Sequence, residues 1–241
     1  MKKYKHIISL GFFCSTALEL ERIGLRDSSS PFDWLISDFK GVIECIDNGF
    51  DDLLNYDNIS QYKEIPQYYV DNKYNLHFYH DFSGYASLMN QLPKVQEKYR
   101  RRIDRFYKNI KEPTLFLYYI KDMVELEYIE RDYSSIISIL KKSNSNNNLI
   151  LISNEDITSQ SLYIYYVKKD DTDSVARVFL EKNKELNDYL CSDIYDSNKR
   201  QSNINRFKSG IKKKKLLSYS EVIISKVQRK LLKKYIHSST C

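Results

Sequence analysis

The chain is short of the residues that mark several common protein classes. Its 241 residues include only 6 glycines and 1 tryptophan, and neither a P-loop nor a Gly-x-Gly-x-x-Gly motif occurs, so no nucleotide cofactor is implied. The four cysteines lie far apart without a Cys-x-x-Cys pair, at Cys14, Cys45, Cys191 and Cys241. This spacing argues against a structural zinc site and a disulfide framework. We therefore expect no cofactor or metal and a reducing, cytoplasmic compartment.

The N-terminus also lacks a long apolar run. It begins with basic residues and continues into an apolar stretch, "MKKYKHIISLGFFCSTAL", which superficially suggests a secretory signal. However, Phe13 is too large for a small-residue cleavage site, and the stretch 7–18 is too short to span a bilayer. We interpret this segment as the first strand and helix of a domain.

Charge is distributed unevenly along the chain. Residues 199–241 carry 13 Lys and Arg against one acidic residue, a net charge of +12, whereas residues 1–198 carry a net −6. We predict an α/β catalytic-like domain over 1–198 and a basic amphipathic helical tail over 199–241, poorly ordered at 199–215. The basic helical pattern of 216–236 suits an anionic membrane surface, which would place the protein at the inner face of the membrane. A helix docked on its own domain or on a partner is the alternative, and no nucleic-acid reader motif is present.

Apolar strand-like runs alternate with helical patterns along the body of the chain. Strands are predicted near 7–10, 76–80, 114–120 and 148–153, with a further strand over 161–167. Helical spacing separates them, most clearly in 93–110, whose apolar stripe is Val95, Tyr99, Ile103, Phe106 and Ile110. Apolar strands alternating with helices predict an α/β fold with a largely parallel sheet flanked by helices.

The ends of these strands carry the candidate chemistry. In parallel sheets ligands bind at the carboxyl ends of the strands, where 11–14, His80 and 153–156 are expected. A cysteine in the first helical turn after a strand lies at the positive end of the helix dipole, which stabilises a thiolate. Backbone N–H groups around Gly11 and Phe13 could then hold an oxyanion.

A cysteine nucleophile needs a base, and the base needs an orienting group. His80 is the best-placed base because it ends a predicted strand, while His77 would point to the opposite face. Asp33, Asp81, and either Asn154 or Asp156 are open alternatives for the third group. The competing interpretation is that Cys14 packs as a small apolar residue.

Several motifs resemble one known family. The segments "SLGFFCSTALELERIGLRDSSSPFDWL", "YHDF" and "KVQEKYRRRIDRF" followed by "TLFLYYI" look like the family described as "putative papain-like cysteine peptidase". They match it in order and spacing over about residues 5–155. This is a bacterial domain of largely unknown function, often associated with surface-polysaccharide loci. The resemblance implies Cys14 as nucleophile, His80 as its base, and Asp33 and Asp81 as motif acids.

The resemblance also pairs Arg101 with Arg102, which could present guanidinium groups to a phosphate or carboxylate. The alternative is a solvated helix face. Trp34 is either a core residue or a stacking platform for a sugar, and Asn154 is a further substrate-binding candidate.

Three hypotheses about function follow. The first is a thiol-dependent hydrolase or acyltransferase acting on a peptide, acyl or glycan-linked substrate, in cell-surface polysaccharide synthesis. The second is a non-enzymatic binding or scaffolding module of a glycan pathway. The third is a nucleotide-sugar transferase in which Asp33, Arg101 and Arg102 bind a diphosphate sugar.

Overall fold

Four parallel strands form the main sheet of the protein. The computed structural model describes residues 3–63, 65–168, 179–192 and 194–214. The sheet order is β1-β5-β6-β7, with the strands at His6–Ser9, Thr114–Tyr119, Asn148–Asn154 and Ile164–Val167. Every residue of the central strand β5 is buried, as expected for a parallel strand covered on both faces. The predicted α/β fold with a largely parallel sheet is confirmed.

A second, smaller sheet corrects one prediction. The segment expected to add a strand at 76–80 to the main sheet instead belongs to an antiparallel three-stranded sheet. Its strands are β2, β3 and β4, at Ile59–Gln61, Tyr69–Asp71 and Leu76–Phe78. The four-residue connection 72–75 lets β4 turn back directly onto β3, which is the shortest way to pair two strands. β4 also bridges to Ile36 through His77.

Helices cover the parallel sheet. Their bounds are α1 Cys14–Arg22, α2 Phe39–Asp47, α3 Leu88–Asn109, α4 Met123–Lys141, α5 Phe179–Lys182, α6 Lys184–Cys191 and α7 Ser197–Lys214. α1 packs against β1 and β5, α4 packs against β6, and α2 lies on α4. α1 ends as its sequence predicts, because Gly24 follows it with φ +78°, a left-handed conformation that favours glycine.

The long helix α3 joins the two sheets. Four residues of its predicted apolar stripe are buried and Ile103 is partly buried. Phe106 stacks near Phe116 of β5, with ring centroids 6.2 Å apart, and Tyr99 meets Phe78 of β4 at 5.3 Å. The helix begins at Leu88, five residues before the expected start at Pro93. α3 thereby holds the small sheet, together with the loop that follows β4, against the main sheet.

The first part of the basic segment is helical. Residues 199–214, expected to be poorly ordered, belong to α7, which packs against α1. Arg200 donates to the Ile23 carbonyl at 2.8 Å, and buried Asn203 donates to the Gly24 carbonyl at 3.1 Å. These contacts with the end of α1 give the segment its order. The predicted amphipathic helix at 216–236 lies outside the described residues.

Candidate active site

Cys14 is the first residue of α1, immediately after the loop that leaves β1. The preceding residue, Phe13, has the extended conformation of an N-cap, but no side chain caps the helix and no acidic residue lies in its first turn. The positive end of the helix dipole at Cys14 is therefore not compensated by a side chain. Gly11 has φ +106°, and its N–H donates to the Ser9 hydroxyl at 3.2 Å. The Gly11 N–H is therefore occupied, and the N–H groups of the first turn of α1 lie beside the thiol.

His80 lines the same pocket as Cys14. The pocket is formed by Phe13, Cys14, Trp34, Leu35, Ile36, Tyr79 and His80, and its volume of about 10 Å³ has room for about one water molecule. Cys14 is buried at 6% exposure, whereas the His80 side chain is open to solvent on one side and covered on the other. His80 reaches the pocket from the loop after β4, which belongs to the small antiparallel sheet. The predicted pair therefore comes together from two sheets.

The other described histidines are bound elsewhere. His77 hydrogen-bonds to the Tyr68 hydroxyl at 3.0 Å and to the Asn75 side-chain oxygen at 3.1 Å, and burial lowers its pKa to about 4. His6 contacts Asp27 at 3.2 Å. Of the histidines within the described ranges, His80 is the one that lines the Cys14 pocket.

Two charges of opposite sign act on His80. Partial burial lowers the pKa of the imidazole, the charge of Asp81 opposes that shift, and the charge of Lys98 adds to it. Asp81 faces α3, where its carboxylate accepts hydrogen bonds from Lys98 and, at 3.0 Å, from the Tyr99 hydroxyl. Asp81 therefore acts on His80 through its charge. A lowered pKa keeps the imidazole neutral at neutral pH, the form that can accept a proton.

Asp33 is held in a different set of contacts. It is almost completely buried, and its Oδ2 atom accepts hydrogen bonds from Arg26 Nε at 3.0 Å, from Arg26 Nη2 at 2.6 Å and from the Ser30 backbone at 2.8 Å. Burial raises the pKa of Asp33, against the charges of Arg26 and Arg102. These contacts fix the loop that carries Trp34. Arg26 also lies over the Trp34 ring, 5.6 Å from its centroid.

The remaining predicted substrate-binding residues are separated. Arg101 is 54% exposed and pairs with Glu97 at 3.1 Å, whereas Arg102 is buried at 6% exposure over the Tyr99 ring. The two arginines therefore point into different surroundings and do not form a pair. Asn154 is buried at the end of β6 and accepts a hydrogen bond from the Tyr119 hydroxyl at 2.5 Å. Trp34 is the one substrate-binding candidate that lines the Cys14 pocket.

Several residues that shape the Cys14 pocket and the surroundings of Asp81 were not predicted from the sequence. Tyr79, Leu35 and Ile36 line the pocket. Tyr79 and Leu35 belong to the quoted motifs, and Ile36 directly follows Leu35. Lys98 and Tyr99 hold Asp81, and helical spacing already placed Tyr99 on the buried stripe. In the described ranges no group of three or more acidic, histidine or cysteine side chains could hold a metal ion.

The fold and the pocket define an α/β protein with a cysteine at a helix start and a histidine beside it. The chain belongs to the family described as "putative papain-like cysteine peptidase", whose model matches residues 5–156. It is also similar to the uncharacterized protein R408 of Acanthamoeba polyphaga mimivirus, at 29% identity over 59% of this chain and 73% of that protein. No solved structure matches. No helix within the described ranges is long and apolar enough to cross a membrane.

Proposed function

We propose that the protein is a thiol-dependent hydrolase in which Cys14 is the nucleophile and His80 its proton acceptor. The observation that carries this proposal is that both side chains line one pocket, in a chain that belongs to the papain-like family. Neutral His80 is suited to accept the thiol proton. The uncapped first turn of α1 offers N–H groups where the oxyanion would develop.

The reaction proceeds through an acyl-enzyme. Cys14 Sγ attacks the substrate carbonyl carbon while its proton passes to His80. The tetrahedral intermediate then collapses, the bond to the leaving group breaks, and the leaving group takes the proton from His80. Water attacks the resulting thioester in the same way, which releases the acid and restores the thiol. The charge of Asp81 stabilises the imidazolium formed in each half of the cycle.

Acyl transfer is a more specific version of this proposal. It differs only in the second step, where a hydroxyl or amine of an acceptor replaces water. A peptide, acyl or glycan-linked substrate and a role in cell-surface polysaccharide synthesis extend the same proposal, supported by the sequence resemblance. An anionic membrane surface is the partner proposed for the tail, because of its basic charge.

An activated acyl ester tests the proposal directly. We expect 4-nitrophenyl acetate to acetylate Cys14, as read by mass spectrometry of the peptide that contains it, with parallel release of nitrophenolate. Cys14→Ser abolishes the thioester and His80→Ala slows its formation. Cys45, fully buried and with a pKa raised by burial, is the internal control and stays unmodified. Acetylation of Cys14 at an equal rate in His80→Ala would contradict the proposal.

A further inference from the structure

A second and larger cavity lies beside the start of α4. It has a volume of about 220 Å³, is partly open to solvent, and is lined mainly by Asp38, Lys40, Lys121, Asp122, Glu125 and Tyr128. We call it the Glu125 cavity. It lies next to the carboxyl end of β5, the edge of a parallel sheet at which α/β proteins bind ligands. Only Ser37 separates Ile36 of the Cys14 pocket from Asp38 of this cavity, so the two spaces are neighbours.

Glu125 is a buried residue of this cavity whose carboxylate is held in place by hydrogen bonds. It is 5% exposed, and its Oε1 atom accepts hydrogen bonds from the Phe39 backbone at 2.8 Å and from the Tyr118 hydroxyl at 2.6 Å. Its Oε2 atom accepts one from the Lys121 backbone at 2.9 Å. A carboxylate offers about four acceptor positions, so Oε2 keeps capacity for one more donor. Because β5, α2 and α4 all hold it, the carboxylate is pre-organised.

The two helix starts at the cavity are already capped. Asp38 accepts a hydrogen bond from the Gly41 backbone at 2.7 Å, and Asp122 accepts one from the Glu125 backbone at 2.9 Å. These caps use the N–H groups that an anion would otherwise bind at a helix N-terminus. An anion entering the cavity would therefore depend on the lysines for its contacts.

Charges of both signs line the cavity. Three acidic residues, Asp38, Asp122 and Glu125, line it together with two basic residues, Lys40 and Lys121. Lys40 has only a loose exposed ion pair, 3.7 Å from Glu44. An anion would be repelled by the three acidic residues and a cation by the two basic ones, whereas a ligand with both charges would be complementary. Val124 adds apolar surface at the rim.

We infer that the Glu125 cavity binds a small zwitterion of the free amino-acid class, with its ammonium group against the carboxylates and its carboxylate against Lys40 and Lys121. The volume and the mixed charges both match such a ligand. This inference does not depend on Cys14. It adds a binding site beside the proposed active site.

The cavity should bind its ligand in a pH-dependent manner. Burial raises the pKa of Glu125 to about 7, although Lys121 and the hydrogen bonds to the carboxylate oppose the shift. The other charged or titratable groups around it are Asp38, Lys40, Asp122, Tyr118 and Tyr128. Because an ammonium group favours ionised Glu125, affinity should rise about tenfold from pH 6 to pH 8, as the ionised fraction grows.

Calorimetric titration of the full chain tests this inference with L-leucine, N-acetylleucine and leucinamide. Leucine is expected to bind, and each blocked form should bind about tenfold more weakly, since each lacks one charge-assisted contact. Equal binding of either blocked form, or no saturable binding of leucine at millimolar concentration, would overturn the inference.

Matched variants locate the site. Lys40→Met is expected to weaken leucine binding, while Lys142→Met, which removes a similarly exposed lysine paired with Asp47 at 3.5 Å, leaves binding unchanged. Glu125→Gln should remove the pH dependence, and Glu127→Gln, on the exposed side of α4, should keep it. Cys14→Ala retains leucine binding, so failure of this inference and failure of the proposed hydrolase are distinguishable. Equal effects of Lys40→Met and Lys142→Met would place binding elsewhere and refute the site.

Discussion

The protonation of His80 depends on two neighbouring side chains of opposite charge. Asp81, next to it in sequence, favours the imidazolium, and Lys98, one helix away, disfavours it. Asp81 and Lys98 also hold each other in an ion pair. The pKa of His80 is therefore influenced by a pair of charges in addition to burial, and either charge can be removed separately.

We predict opposite shifts of the His80 pKa in two variants. Lys98→Met should raise the pKa, because a repelling cation is lost while Tyr99 still binds Asp81. Asp81→Asn should lower it, because an attracting carboxylate is lost and Lys98 keeps its charge. NMR titration of the histidine ring protons measures both, with His77 as the reference that should stay near its value of about 4. Shifts of the same sign in both variants would refute this description of the site.

At the scale of elements, α2 lies unusually close to the loop that precedes β4. A Cβ atom placed on Gly41 would lie 1.9 Å from the Tyr74 carbonyl oxygen, and that backbone oxygen has no freedom to rotate away. α2 carries Phe39, whose backbone binds Glu125, so its position affects the neighbouring cavity as well.

Gly41→Ala should therefore destabilise the protein by about 2 kcal/mol or more, the cost of overpacking a tight contact. Gly210→Ala, in α7, is the matched control, because a Cβ atom on Gly210 would have no atom within 4 Å. Alanine should stabilise this helix by about 0.5–1 kcal/mol relative to glycine. Urea denaturation gives the free energy of unfolding of both. A Gly41→Ala variant as stable as Gly210→Ala would mean that α2 and this loop are further apart.

The docking of α7 depends on Asp27. This carboxylate accepts hydrogen bonds from Lys199 at 2.6 Å, Asn203 at 3.1 Å and Tyr195, and it also contacts His6. Burial alone would raise the pKa of Asp27, but the hydrogen bonds with His6, Lys199 and Tyr195 and the charge of Lys199 outweigh it and lower the pKa from 3.8 to about 2. A depressed carboxyl pKa stabilises the folded state above the unfolded value, and that contribution is lost as the pH falls through about 2.

Asp27→Asn should consequently lower the free energy of unfolding at pH 7, and the difference from the wild type should shrink between pH 4 and pH 2. The control is Asp104→Asn, which removes an exposed carboxylate that pairs with Arg100 at 3.1 Å. Urea denaturation across this pH range measures both variants. A difference for Asp27→Asn that is constant with pH would contradict the assigned role of its charge.

The parallel strands were predictable because each is a continuous apolar run, such as "TLFLYYI" for β5. The small sheet was not, because each of its strands has only three residues. Gly24 was a reliable helix stop because its positive φ is a local property. The sequence could not predict that Arg102 is buried while Arg101 is exposed, because this difference depends on how α3 is rotated against the two sheets.

At the scale of the whole molecule, the predicted Cys14–His80 pairing rests on both residues following strands. The structure brings them together by another route, because β4 lies outside the main sheet. Asp33 binds Arg26 of the same loop, whereas Asp81 binds Lys98 of α3, and the sequence does not reveal either contact. Glu125 had one local signal, an aspartate three residues before it in "DMVE" after a strand, which is the spacing of an N-cap and its N3 residue.

The uneven charge of the chain leads to one prediction for the intact protein. With +12 over residues 199–241 and −6 over the rest, the full chain should sediment with vesicles that contain anionic lipid, and added salt should weaken that binding. Truncation after Lys214 removes six of the 13 basic residues together with Glu221, a net charge of +5, and should weaken this binding while retaining α7. Binding to neutral vesicles at the same level would contradict an electrostatic origin.

The most direct test of Cys14 as a nucleophile activated by His80 is the pH dependence of its alkylation by iodoacetamide. Mass spectrometry measures this alkylation in the wild type and in His80→Ala. We predict that Cys14 reacts with a midpoint below the value of about 8.5 for a free thiol, and that this midpoint moves upward without His80. A midpoint at or above the free-thiol value, unchanged in His80→Ala, would show that Cys14 is a packing residue and would contradict the proposed hydrolase.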